Sequence, residues 1–516
     1  MATKNYKEES EEGKPDPKEY YYNVAHQILQ EDKFRLSQGS KELYFFDPND
    51  GTYKNGLTYI EQRILEIMGH HYSTHAQREI TAIIRIKCSY ERGMPTPKQW
   101  INFKNGSYNL ITGEFIKRTA YLESEFKVNF DEHYGKIRDL RERKKEYQFD
   151  PTPESQNQRE KLDIKIDELR EMALREKINW KISQKEAFSE FNFTSTLPVN
   201  YDPKAKCTAI NEFFNSTLTR RENDVTRMYE LFGYLLWKDQ FMKTIFAFIG
   251  ETNTGKSITG NLIVHFVGSD NVTSLSLKAI MEDKFDKLKL SRVMVNLSGE
   301  LSSAFIRDTT VIKELTGNDP ISARVMHSQE DFKFFPTLKF IFLMNKLPGT
   351  FEDDDAYFER NEIFEFLKQV KKGEDMDQDL IEKLTTPEEL SGLLNMAIVG
   401  LKNLKKNGKF TGSLTTGQKK LLYQSKADPF TVFTNRIEIS LIDTDFETKS
   451  EIWNKFVDFC KVLRVVPGTQ NKFYRRFKAW ARENEISEGK GSKITGESEI
   501  RTNGYYGISI KNYSEK

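Results

Sequence analysis

Cysteine is scarce in this 516-residue sequence: Cys88, Cys207 and Cys460 lie far apart and form no CxxC pair, which excludes a zinc ribbon and a disulfide framework. The three read as reduced thiols of an intracellular protein. Long apolar runs are missing as well. No stretch approaches the ~18 residues that a membrane span needs, and the opening MATKNYKEESEEGKPDPKEYY is charged where a secretory signal would be apolar. The expected setting is the cytoplasm of a host cell, with no membrane contact. Nor does either charge dominate. With 78 Lys+Arg against 77 Asp+Glu, any contact with DNA has to come from local patches. No internal repeat is visible.

What is present is a chain long enough for three or four cores, since a single core stops growing near ~250–300 residues. A content of 37% hydrophobic and 30% charged residues describes a globular protein, not a disordered one. Residues 1–99 read as an α+β region: behind a polar tail (1–18), Ile60, Ile64, Leu65 and Met68 recur at helical spacing, and LYFFDPNDGTYKNG reads as a hairpin with Asp-Gly and Asn-Gly turn chemistry. Residues 100–204 open with a β segment, WINFKNGSYNLITGEF, turning at Asn105-Gly106 and Thr112-Gly113. A charged insertion at 133–190 interrupts this region. Leu162, Ile166, Leu169 and Ala173 keep helical spacing there, which predicts a helical hairpin or short coiled coil, either a solvated arm or a surface for a partner. From 205 to 372 strands and helices alternate as in an α/β nucleotide-binding core, with a helix at about 223–237 leading into the strand TIFAFIG. A helical segment (373–427) and a compact α/β module (428–516) complete the chain.

The strongest motif is Gly250-Glu251-Thr252-Asn253-Thr254-Gly255-Lys256-Ser257, which fits G-x-x-x-x-G-K-[ST] between an apolar strand (245–249) and a helix (258–266) that begins with Ile258. A loop of this kind turns backbone N–H groups toward the β- and γ-phosphates of ATP. Lys256 would neutralise phosphate charge and the Ser257 hydroxyl would coordinate Mg²⁺. Hydrolysis also needs an acid at the end of a neighbouring strand. The strand 292–297 ends in Ser298-Gly299-Glu300, and Glu300 is the candidate base and second metal contact. A third strand, 339–344, is followed by Asn345. Its amide could sense the γ-phosphate or orient the lytic water, although an Asn after a strand is also a common turn former.

Taken in order, GETNTGKS, VNLSGEL, KELTGNDPISAR, FLMNKLP and FERNEIFEF resemble the superfamily 3 helicases, in the branch of poxvirus-type and phage or plasmid primase-helicases. The resemblance implies an AAA+-like P-loop ATPase core, a pre-helicase domain at 100–204 and a C-terminal winged-helix domain at 428–516. It also implies that Asn345 is a sensor and that Arg360 is an arginine finger for a neighbouring subunit's ATP. A guanidinium there would offset the charge of the transferring phosphoryl group; the other reading of Arg360 is an ion pair with Glu359 or Glu362. The segment Ile321 to Phe335 corresponds to the family's DNA-gripping hairpin, with His327 near its tip and Arg324 and Lys333 on its arms. Arg324 could equally bind nucleotide across an interface.

A finger acting in trans implies a head-to-tail interface that closes into a ring, and the family implies a hexamer. In the C-terminal module Lys472, Arg475 and Arg476 cluster on a helix ahead of the wing-like GSKITGESEIRTNGYYGISIK, an arrangement suited to duplex DNA or simply to a solvated helix face. The N-terminal region lacks the aspartate pair of a primase, so a separate primase or polymerase is the expected partner. His70-His71-Tyr72 is unsuited to a nickase, because adjacent histidines point apart on a strand. The expected function is an ATP-dependent, 3′–5′ ring helicase working on single-stranded DNA in the replication of a virus, plasmid or integrated element. An origin-binding initiator is the alternative, and a small-molecule phosphotransferase is a third reading that lacks an arginine-rich lid.

Overall fold

The architecture was obtained as a computed structural model, which describes residues 16–36, 42–88, 98–118, 136–147, 152–188, 193–218, 221–276, 279–280, 286–299, 309–317, 319–324, 331–350, 354–370, 377–439, 445–463, 465–495 and 498–510. Within them no helix is long and apolar enough to cross a membrane.

The N-terminal region packs α1 (Pro17–Glu31), α2 (Leu57–Met68) and α3 (Thr74–Cys88) beside an antiparallel sheet of β1 (Phe34–Leu36), β2 (Leu43–Asp47) and β3 (Thr52–Asn55). The hairpin expected here turns at Asp50-Gly51, whereas Asn55-Gly56 leads into α2 instead of a second turn. Ile60, Ile64 and Met68 face the core as their spacing predicts. Leu65, read with them, is 52% exposed, because it falls one position off their stripe. The next sheet, β4 (Trp100–Phe103), β5 (Gly106–Asn109) and β6 (Phe115–Lys117), turns at the two expected glycines. The charged insertion forms α4 (136–146) and α5 (Pro153–Phe188). Lys144 pairs with Asp163, and Ile137 and Ile166 are buried.

Helices α6 (Thr208–Thr217) and α7 (Asp224–Leu236) precede five parallel strands: β7 (Ile245–Ile249), β8 (Val272–Thr273), β9 (Val295–Ser298), β12 (Lys339–Met344) and β13 (Asn361–Glu365). Between β9 and β12 an antiparallel hairpin forms from β10 (Ile321–Arg324) and β11 (Asp331–Phe334). The parallel sheet runs β13-β7-β12-β9-β8, so the first strand in sequence is flanked by the fifth and the fourth. Both faces of β7 are covered, as a parallel sheet requires. Phe246 and Phe248 join a core with α6, α7 and the β4–β6 sheet, while Ile245, Ala247 and Ile249 join a second core with the hairpin.

Around this sheet stand α8 (Lys256–Val267), α9 (Asp286–Leu290), α10 (Thr310–Thr316) and α11 (Asp355–Glu359). The helical segment that follows is broken into α12 (Leu380–Leu384) and α13 (Pro387–Asn407). The break lies at Thr386, whose hydroxyl caps α13 by accepting from Glu389 N–H. The strand expected from Arg292 begins only at Val295, since residues 291–294 still turn out of α9. Helix α13 lies against α7 with almost no spacer. A Cβ on Gly400 would stand 2.5 Å from the Tyr229 carbonyl oxygen, and one on Gly233 would meet the Ala397 carbonyl and the Leu401 amide.

Helix α14 (Thr416–Ala427) carries the chain to the C-terminal module: α15 (Pro429–Thr434), β14 (Glu438–Ile439), β15 (Phe446–Thr448), α16 (Lys449–Leu463), α17 (Gln470–Glu483), β16 (Glu488–Thr495), β17 (Ser498–Tyr506) and β18 (Ile508–Ser509). Its sheet is ordered β15-β17-β16, and the expected terminal strand pair is the long β16–β17 hairpin.

Candidate nucleotide site

The loop 250–255 leaves the carboxyl end of β7, the middle strand between β13 and β12. Gly255 holds a φ of +97° at the cap of α8, a left-handed geometry that suits glycine. Lys256 is thereby the first helical residue, two positions earlier than apolar periodicity suggested, and Ser257 is exposed in the first turn. The side chain of Lys256 is 8% exposed. Its ammonium donates to the carbonyls of Gly250 (2.6 Å) and Glu251 (2.5 Å), and burial lowers its pKa below the usual lysine value. The loop is braced internally by Thr254, whose hydroxyl donates to the Glu251 carbonyl. It is braced externally by the segment after β13: Val370 N–H donates to Asn253 O (2.9 Å) and the Gln369 amide to Thr252 O (3.3 Å). Sequence reading missed Gln369 and Val370. Nothing in FLKQV marks them, since their role comes from strand order.

Asn345 follows β12 at the same end of the sheet and is exposed. It lines a cavity of about 480 Å³ together with Gly250, Glu251 and Thr254. Behind β13, Glu365 forms a buried ion pair with Lys426 of α14. Neighbouring Glu362 is held by Arg227 and, at 2.8 Å, by Lys419. Burial works to raise the Glu362 carboxyl, but the two cations outweigh it and keep its pKa low.

Arg360 sits at the opposite end. It precedes β13, its carbonyl accepts from Ile245 N–H, and its guanidinium donates to Thr316 Oγ1 (3.1 Å) and the Ala356 carbonyl (2.6 Å). The expected alternative, an ion pair with Glu359 or Glu362, is not formed, because Glu362 is already taken by Arg227 and Lys419. Five strand residues at ~3.3 Å each separate Arg360 from the loop end of the sheet.

Glu300 and His327 lie outside the described residues, as does the side chain of Arg324. Gly299 brings the chain to the position before Glu300 at the carboxyl end of β9, two strands from the loop. Among the described residues no three His, Cys, Asp or Glu side chains converge on a common point. Among the described residues, Ser257, exposed in the first turn of α8, is the side chain placed to contact a metal beside the loop. On the hairpin, Lys333 is exposed, and the adjoining Phe335, which sequence reading did not single out, is 65% exposed.

In the C-terminal module Lys472 and Arg475 are exposed on α17. Arg476, read with them as a DNA contact, forms a two-pronged pair with Asp428 (2.8 and 2.6 Å) and stacks over Phe430. Its immediate work is to fasten α17 to the start of the module.

Residues 248–360 match a family of unknown function (DUF5906). The chain is 23% identical over 273 residues to "Putative helicase V13" of the Sputnik virophage, a match covering 49% of this chain and 34% of that protein. It thus spans about a third of the length of the curated relative it matches. Among solved structures, the NrS-1 C-terminal region (305–718) is similar at 11% identity with a TM-score of 0.44, covering 96% of this chain and all of that one. An A-form apo structure of the same region gives 10% identity, a TM-score of 0.42, and coverage of 82% and 79%. The chain is similar to a viral protein named as a helicase, and its own fold is mixed α/β with a parallel sheet.

Proposed function

We propose that this chain is an ATP-dependent, ring-forming DNA helicase of the superfamily 3 kind, serving replication of a virus, plasmid or integrated element in the host cytoplasm. The observation that carries the reading is the two-ended sheet. Counted among the five parallel strands, the order is 5-1-4-3-2, with the loop-bearing first strand between the fourth and fifth. It sets the 250–257 loop and Asn345 at one end and Arg360 at the other. A phosphate group bound at the loop would take the Lys256 ammonium from the loop carbonyls. Mg²⁺, held by Ser257 and Glu300 with phosphate oxygens, would supply charge neutralisation at the phosphates. Glu300 is the proposed base and Asn345 the sensor. Arg360 is too far along β13 to reach its own loop, and in a head-to-tail ring, hexameric by resemblance, it would reach the next subunit's.

DNA would be gripped in the ring by the β10–β11 hairpin, through Arg324, His327 and Lys333, with Phe335 available for base stacking. The helix pair α16–α17 followed by the β16–β17 hairpin in the C-terminal module suits a winged helix, with Lys472 and Arg475 open to phosphates. Exposed bases on that module also favour a second reading, an origin-binding initiator whose ATPase drives assembly. Primers would come from a separate primase or polymerase.

Unwinding of a forked DNA with ATP tests the reading, using wild type, Lys256→Ala and a chain ending at about residue 427. Loss of unwinding in Lys256→Ala is expected for a helicase, with retention on truncation when ATP is saturating. Origin binding without unwinding by wild type would favour the initiator, and hydrolysis indifferent to DNA would sink both.

A further inference from the structure

The cavity beside the loop has a wall that the loop's own domain does not supply. Pro429, Val465 and Val466, all from the C-terminal module, line it opposite the segments that follow β7, β12 and β13. Val466 leaves 68% of its surface exposed, although its neighbours Val465 and Leu463 pack against the module's core. What sets Val466 apart from other exposed apolar side chains is its place in the cavity lining beside Val465 and Pro429.

The wall is fixed relative to the loop. Lys426 pairs with Glu365 and donates to the Leu463 carbonyl (2.9 Å), so one ammonium joins the end of β13 to the end of α16. Glu365 lies in register with Ile249, the residue before Gly250. At about 480 Å³ the cavity falls within the ~300–1,000 Å³ range of small-molecule sites. Gly250, Glu251 and Thr254 bring the start of the loop to the lining, and Pro429, Val465 and Val466 add apolar carbon without a hydrogen-bonding side chain.

We propose that Pro429, Val465 and Val466 form the base subsite, so that the C-terminal module holds the purine ring of the nucleotide whose phosphates sit in the loop. This rests on the loop being an ATP site. Three apolar side chains grip a ring by contact, so loss of this wall should weaken adenine and guanine nucleotides alike, and any reading of the base edge would fall to polar lining residues such as Asn345 and Gln369.

The test measures dissociation constants of the full-length protein with Mg²⁺ for ATP, GTP and inorganic tripolyphosphate, in wild type and Val465→Asn/Val466→Asn. The double variant is expected to weaken ATP and GTP roughly tenfold and to leave tripolyphosphate unchanged. Val466→Asn alone, at a position already exposed, keeps the test open should the double variant fold poorly, and its ATP affinity should also fall with an unaltered melting temperature. ATP affinity within about twofold of wild type, or equal weakening of ATP and tripolyphosphate, overturns the subsite. Failure of the underlying reading looks different: wild type would then bind none of the three, or Lys256→Ala would bind ATP as well as wild type does.

Discussion

At the carboxyl end of the five-stranded sheet the groups that would meet a nucleotide are almost contiguous. Gly250 to Ser257 is one run of chain, folded onto itself by Thr254 and by Lys256. At the amino end Arg360 has no such neighbourhood; its position depends on a hydroxyl from α10 and a carbonyl from α11. The first end is built by local backbone geometry and the second by tertiary packing. On the proposed reading the first end would bind by itself, whereas the second would act against a neighbouring subunit.

Mixing experiments would break or sharpen that contrast most strongly. Arg360→Ala should lower ATP hydrolysis by roughly 10²–10³-fold while ATP binding persists. Combining it with Lys256→Ala subunits should restore part of the hydrolysis, because each variant retains what the other lacks. Activity that stays lost in the mixture, measured as phosphate release, would make Arg360 a residue of its own subunit.

Next in size is the buried network that holds β13 between the two ends. Glu362→Gln removes the carboxylate that pairs with Lys419 and shares Arg227 with Asp224, and should cost about 3 kcal/mol of stability, read from denaturant unfolding. Its carboxyl is held below the unfolded value of about 4.3. The stabilisation is therefore complete above that pH and is lost as pH falls through the lower folded value. The variant should flatten the acid limb of the stability curve below about pH 4. Gly233→Ala should cost about 2 kcal/mol by forcing α7 off α13, with the melting temperature falling before hydrolysis does.

The smallest effect belongs to the C-terminal module. Replacing both Lys472 and Arg475 by Ala should weaken duplex binding and reduce the slope of log affinity against log salt by about 2. An unchanged slope would leave these residues as a solvated helix face.

Much of the loop end was legible from sequence because its determinants are local: an apolar strand, two glycines, a lysine and a helix. The turns at Gly106 and Gly113 and the stop of α13 at Gly408, with a φ of +66°, were legible for the same reason. Strand β13 was harder to read. Asn361, Glu362 and Glu365 suggest an exposed strand, yet all five residues of NEIFE are buried, since α7 and α14 deliver Arg227, Lys419 and Lys426 from far along the chain. Lys339 is similar. It is buried at the start of β12 by donating to the carbonyls of Trp237, Asp239 and Thr337. Such partners are set by topology, and no spacing rule within either segment could have announced them.

Helix α7 leads into β7 and α13 comes after β13 by way of α12, and the crossing at Gly233 and Gly400 works as a rivet. The chain enters and leaves the two strands beside the loop through helices pinned backbone to backbone. Backbone atoms this close leave little room for one helix to slide on the other, so a displacement of either is expected to carry the other with it.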